Sequence, residues 1–285
     1  VTFGGLPAGP SSFAVDRRGN IYVADNMNQR VNKYGPQGQF LSSVTLPDKV
    51  NGRDVAVDSV GNVYVLDGLS TNVLQFTPGG DFTRTYARPP DMNQGDAIRI
   101  LPDGTLALQG LGGPSSRVAR LGTSSTEFSE AEKGKVEAGY LYSGGVLKPG
   151  MFRRSPDGRW GIMGVGLADG KALTLTLSLP DAIAGVISPS SPERPGGGEA
   201  GFLDMDASGN VYASVAVKDS NQGKVTGGWM LRFNPAGQLV GFLPFPTDLY
   251  TWPNSLASFR VDEAGSVYFL QPYRDRVKVM KWEFR

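Results

Sequence analysis

The 285-residue chain contains no cysteine and no histidine. The first absence excludes disulfides, thiol nucleophiles and cysteine-ligated zinc. The second excludes Ser-His-Asp triads, imidazole acid/base chemistry and histidine-held metals. Net charge is also nearly absent: 28 Lys and Arg stand against 27 Asp and Glu, a formal +1. Such a balance gives no overall field to attract a nucleic-acid backbone, so no nucleic-acid partner is expected. No apolar run approaches the ~18 residues that would span a bilayer, so no membrane span is expected in this chain. There is no G-x-S-x-G elbow or P-loop, and no carboxylate pair argues for glycosidase chemistry. The chain opens on Val1 rather than Met, as a processed or trimmed form would.

Turn-formers are in excess. Gly numbers 39 and Pro 20, against average usage of about 7% and 5%. With 40% hydrophobic residues, this composition reads as many short strands joined by tight turns rather than as disorder.

One pattern recurs: an apolar strand ending in Asp, two residues, Gly, a polar residue, then a strand often led by Tyr. It appears at Asp16 to Tyr22, Asp58 to Tyr64, Asp206 to Tyr212 and Asp262 to Tyr268. Leu101-Pro102-Asp103-Gly104 and Ser155-Pro156-Asp157-Gly158 use Pro to preset the same turn. Asp at the first turn position accepts from backbone two residues on, and Gly at the fourth takes the left-handed conformation. These Asp residues are therefore read as turn formers rather than metal ligands. The turn glycines, 19, 61, 104, 158, 209 and 265, recur at roughly 40 to 55 residues, the length of a propeller blade. Two further strands follow in most repeats, such as Arg30 to Tyr34 and Phe40 to Val44. The last repeat has only Arg276 to Phe284 left for its third strand. The expectation is a single all-β domain over residues 1–285: a six-bladed β-propeller closed by Val1-Thr2-Phe3 joining the last blade.

Pro10 to Tyr34, with Gly19-Asn20-Ile21-Tyr22-Val23-Ala24-Asp25 and Asn28-Gln29-Arg30-Val31, resembles the NHL repeat, and Val55 to Phe76 follows it. The likeness is specific over about the first 90 residues; later repeats keep the turn and the strand spacing. The resemblance implies a propeller used for protein binding, ligand sensing or RNA binding, with metal-dependent lyases and lactonases among the relatives. The lyase relatives use His-bound zinc, which this chain cannot supply. The Glu, Asn and Asp set of the calcium-dependent lactonases has no clear counterpart here, so no metal ligands are assigned.

Two candidate sites emerge. Five residues before each turn glycine the inner strands carry Ala14, Ala56, Arg99, Arg153, Asp204 and Arg260. Charge at a near-core position must be paired. The four charged members, Arg99, Arg153, Asp204 and Arg260, form either an ion-pair network or a channel that binds a small anion. The second site is a rim of aromatics and arginines on loops: Arg88, Tyr250, Trp252, Tyr273 and Arg274. Three insertions, Glu127 to Gly150 with a short helix at Ser129 to Val136, Asp181 to Ala200 and Lys218 to Gly228, are expected surface loops. The expected function is a non-catalytic scaffold for a protein partner, within a larger extracytoplasmic (secreted, periplasmic or cell-surface) bacterial assembly. No cofactor is expected. The alternatives are a Ca²⁺-dependent hydrolase or lyase at the channel mouth, or a sensor of a small anionic ligand.

Overall fold

The computed structural model describes residues 2–3, 6–7, 10, 12–90, 92, 95–110, 117–121, 136–138, 140–142, 145–147, 151–154, 160–166, 172–177, 199–218, 225–244, 259–272 and 276–284. Each turn repeat organises an antiparallel meander, so blades are named here by their turn glycines. The Gly19 blade runs Ser12–Val15, Ile21–Asp25, Arg30–Tyr34 and Phe40–Thr45. The Gly61 blade runs Gly52–Val57, Val63–Asp67, Val73–Phe76 and Phe82–Tyr86. The Gly104 blade has Gly95–Ile100, Leu106–Gly110, Arg117–Leu121 and Val136–Ala138. The Gly209 blade has Glu199–Met205, Val211–Lys218, Val225–Phe233 and Leu239–Pro244. The Gly265 blade has three strands, Phe259–Val261, Val267–Pro272 and Val277–Trp282.

These blades show why the turn spacing works. In the Gly19 blade the Asp16 Oδ1 atom accepts from the amides of Arg18 and Asn20, both at 2.9 Å. Its Oδ2 atom accepts from Asn20 Nδ2 at 2.8 Å and the Tyr22 hydroxyl at 3.2 Å. Asp58 and Asp206 repeat all four bonds. Asp262 keeps both amide bonds and the bond from Tyr268. In the Gly104 turn Leu101 takes the first position, and Asp103 accepts from the Thr105 amide instead. Every one of these turns places its glycine at positive φ, from 76° at Gly19 to 93° at Gly61, where a side chain would be strained.

Among the described residues the expected six-bladed ring is corrected to five blades. A further three-stranded sheet, Met151–Arg154, Trp160–Gly166 and Ala172–Leu177, carries strands of the fourth repeat, the one expected around Gly158. Its turn, residues 155–159, and its side chains lie outside the described residues. Turn spacing counts hairpins, and the number of hairpins does not by itself fix the number of blades.

Closure by the N-terminal strand is also corrected. Thr2 pairs with Pro7 and Phe3 with Leu6, in a hairpin of their own. Among the described residues the Gly265 blade ends at Val277–Trp282. A local hairpin closes a short loop, whereas pairing with the last blade would close a loop of nearly the whole chain.

The helix expected at Ser129 to Val136 lies outside the described residues, save Val136, which is in a strand. Part of the Lys218 to Gly228 insertion is strand: Lys218 pairs with Val225 and Val217 with Gly227. Residues 181–198 are not described. Among the described residues, no helix is long and apolar enough to cross a membrane.

Blades pack face to face through apolar side chains. Ala14, Tyr22 and Val31 meet Val55, Val63 and Phe76 between the Gly19 and Gly61 blades. Tyr64, Leu66 and Tyr86 meet Ile98 and Leu108 at the next seam. Leu203, Tyr212 and Met230 meet Phe259 and Val267 between the Gly209 and Gly265 blades. The first and last blades also meet: Phe13 and Val23 pack with Tyr268 and Leu270.

Candidate functional site

In each blade the turns between strands one and two, and three and four, lie at one end of the meander. The loops between strands two and three, and the links to the next blade, lie at the other, which forms the rim. Two neighbouring rim loops are built alike. In the Gly19 blade, Asp25-Asn26-Met27-Asn28-Gln29 follows the second strand; in the Gly61 blade, Asp67-Gly68-Leu69-Ser70-Thr71 does so. Both put a non-glycine residue at positive φ in the same place, Gln29 at 50° and Thr71 at 60°. For a β-branched threonine this is a strained conformation that its surroundings must enforce.

The enforcing groups are the two buried aspartates. Asp25 accepts from Asn28 Nδ2 at 2.9 Å and from Arg30 Nε at 3.0 Å. Asp67 accepts from the amides of Asn51, Leu69 and Ser70 and, at 2.6 Å, from the Ser70 hydroxyl. Burial pushes the Asp67 pKa up, but the Ser70 hydroxyl and the three amides outweigh it and hold the carboxyl below its ordinary value. Backbone bonds from Leu46 to Gln29 and from Gly68 to Asn51 tie these loops to the inter-blade links. At equivalent tips of these pinned loops stand Met27, 49% exposed, and Leu69, 71% exposed.

Of the expected rim residues, Arg88 is described. It is half-buried, and its amide donates to Asn72 Oδ1 at 3.1 Å, joining the link after the Gly61 blade to the same loop. Tyr250, Trp252, Tyr273 and Arg274 lie outside the described residues.

The inner strands form a second cluster around a residue not expected from sequence, Asp54, which is fully buried. Its Oδ2 atom accepts from the Ile98 amide at 2.8 Å and Arg99 Nη1 at 3.0 Å. Its Oδ1 atom accepts from the Ser12 hydroxyl and, at 2.9 Å, from Arg260 Nη2. A carboxylate offers about four lone-pair sites, and four donors use them. Arg99 also donates to the Ile98 carbonyl at 2.6 Å and Arg260 to the Phe259 carbonyl at 2.7 Å. Burial and the neighbouring Arg99 charge pull the Arg260 pKa down to about 9, while Asp54 and Asp204 act in the opposite direction. Asp204 is buried and accepts from the Met205 amide. Arg153 pairs with Gly161 in its strand, and its side chain lies outside the described residues.

The cluster thus joins Arg99 and Arg260 of the expected channel series as ion pairs to Asp54. The sequence signal for Asp54 was its position two residues before Ala56, on the same face of the strand. Among the described residues no three His, Cys, Asp or Glu side chains come together in a way that could hold a metal ion. Among the described residues the turn aspartates are occupied by their own turns.

No protein-family model and no curated protein sequence matches the chain. Solved structures resemble it at low identity. A member of the DUF4221 family from Bacteroides vulgatus superposes with a TM-score of 0.52 at 11% identity, covering 93% of this chain and 87% of that one. A gluconolactonase from Xanthomonas campestris gives 0.48 at 14% identity, covering 93% and 84%. Virginiamycin B lyase from Staphylococcus aureus gives 0.44 at 12% identity, covering 97% and 85%. The first of these likenesses supports the β-propeller fold.

Proposed function

We propose that the chain is an NHL-like propeller acting as a non-catalytic scaffold, with the rim of its Gly19 and Gly61 blades holding a protein partner. The observation that carries this reading is the pair Met27 and Leu69, exposed at equivalent tips of loops fixed by Asp25 and Asp67. An apolar side chain held out on a rigid loop costs little conformational entropy when it is covered. Burying each completely would contribute about 1.5–3 kcal/mol. Strained, over-determined backbone at Gln29 and Thr71 fits a surface kept in one shape for recognition. The Asp-x-x-Gly-Asn-x-Tyr turns, with their repeated bonds, support the NHL-like assignment.

The experiment is quantitative capture from the source lysate with wild type and a Met27→Asp/Leu69→Asp variant, alongside Trp252→Ala/Arg274→Ala. Loss of a common partner from the first variant, at unchanged thermal midpoint, is expected. Equal recovery of the same proteins by all three removes the rim from the reading. The competing enzyme reading, a Ca²⁺-dependent hydrolase or lyase, calls for a saturable Ca²⁺ titration by calorimetry. The described carboxylates do not fit such an ion.

A further inference from the structure

The ring's two ends meet without a shared strand among the described residues, and something else must hold them. Three layers of contact cross the seam between the Gly265 and Gly19 blades. At the turn end, Arg17 Nε meets Glu263 Oε1 at 2.7 Å on the surface, where such a pair contributes little. In the middle, Phe13 and Val23 pack on Tyr268 and Leu270. At the inner edge, Arg260 lies over the Phe13 ring, 5.3 Å from its centroid, and reaches Asp54 of the next blade but one. On the way its Nη2 atom passes the Ser12 hydroxyl at 3.4 Å.

We propose that Asp54 is the clasp of the ring. One carboxylate oxygen faces the closing side, taking Ser12 of the first blade and Arg260 of the last. The other faces onward, taking Ile98 and Arg99 of the Gly104 blade. A single buried residue thereby ties four blades, two of them from opposite ends of the chain. Arg99 and Arg260 both pair with Asp54, but only Arg260 crosses the seam. The clasp replaces the strand exchange that the sequence suggested, and makes this seam the place where the propeller opens first when the clasp is lost.

The two arginines supply the test, because they lose the same charge at different places. Hydrogen–deuterium exchange of the full chain is compared for wild type, Arg260→Met and Arg99→Met. In Arg260→Met, amides of Ser12–Val15 and Phe259–Val261 are expected to lose protection at least tenfold, while Val63–Asp67 keeps its own. In Arg99→Met the seam amides are expected to stay protected. Seam protection unchanged in Arg260→Met, or lost equally in both variants, overturns the proposal. Should Arg260→Met not fold, Arg260→Lys and Arg99→Lys are compared in its place, since a lysine keeps the charge but loses the separate Nη1 and Nη2 by which Arg260 reaches the Phe259 carbonyl and Asp54. The absence of native cysteine allows a rescue: a bis-maleimide bridge between Arg17→Cys and Glu263→Cys should restore seam protection to the Arg260 variant. Failure of the bridge to do so also overturns the clasp. None of these readouts involves the Met27/Leu69 rim, so they stand or fall apart from the binding reading.

Discussion

The two ends of the propeller use the same residue type for different ends. At the turn end, Asp16, Asp58 and Asp206 each accept four hydrogen bonds from within their own turn, and the bonded tyrosine hydroxyl is part of the core. At the rim, Asp67 also accepts four, but its donors are amides and a hydroxyl of exposed loop residues, and the result is a strained loop with an apolar tip. The turn aspartates repeat because they make the fold. The rim aspartates sit under loops whose tips differ, and their bonds shape a surface. A carboxylate's role follows from where its donors lie, buried or facing water, more than from how many it has.

The sharpest way to break this contrast is Asp58→Ala. It leaves the Tyr64 hydroxyl buried with no turn carboxylate and frees two amides and an asparagine. The expected cost is about 3 kcal/mol, read from the urea midpoint.

A second effect tests the turn end as a set. Burial first, then the Asp262 charge and hydrogen bond, raises the Tyr268 pKa to about 12, and Tyr22, Tyr64 and Tyr212 are raised in the same sense by burial and their turn aspartates. The unfolded chain releases these protons near pH 10. Their stabilisation is therefore complete below pH 10 and lost as pH rises from there through about 12. A fall of about 1–3 kcal/mol per tyrosine is expected across that window. Urea midpoints at pH 9 and 11.5 check it, and Tyr268→Phe should fall less steeply than wild type.

The smallest effect belongs to the rim. Asp67→Ala should cost about 1–2 kcal/mol, because the released amides at Leu69 and Ser70 can turn to water. Amide exchange should accelerate across 68–72 and stay unchanged in the Gly61 turn. A global loss as large as that of Asp58→Ala would erase the distinction between the two ends.

Much of the turn end was legible in the sequence, because its hydrogen bonds run between residues a few positions apart. Asp58, Gly61, Asn62 and Tyr64 announce their bonds by spacing alone. The strand Arg30–Tyr34 fell where the pattern put it, and the next, Phe40–Thr45, runs one residue past its expected end. The rim was half legible. Asp25 and Asn28-Gln29-Arg30 stand in the stretch that resembles the NHL repeat, but nothing in a Gln or a Thr announces positive φ, so the fixed tips at Met27 and Leu69 were not expected. Asp54 was missed because its partners Ser12, Arg99 and Arg260 are distant in the chain, and an inner-strand Asp reads like any other until the ring is assembled. Closure failed for a related reason: whether Thr2–Phe3 joins Leu6–Pro7 or the last blade is a competition between a short loop and a very long one, and composition does not weigh them.

The self-sufficiency of the corner from Asp16 to Tyr22 has a consequence for how such a chain changes over generations. Every bond that shapes it is encoded in one short stretch of gene, so the corner survives being copied, shuffled or deleted together with its strands. The Asp54 clasp has no such freedom. Its four partners are scattered across the gene, and any event that alters the number of copies between them must find a new way to join the ends.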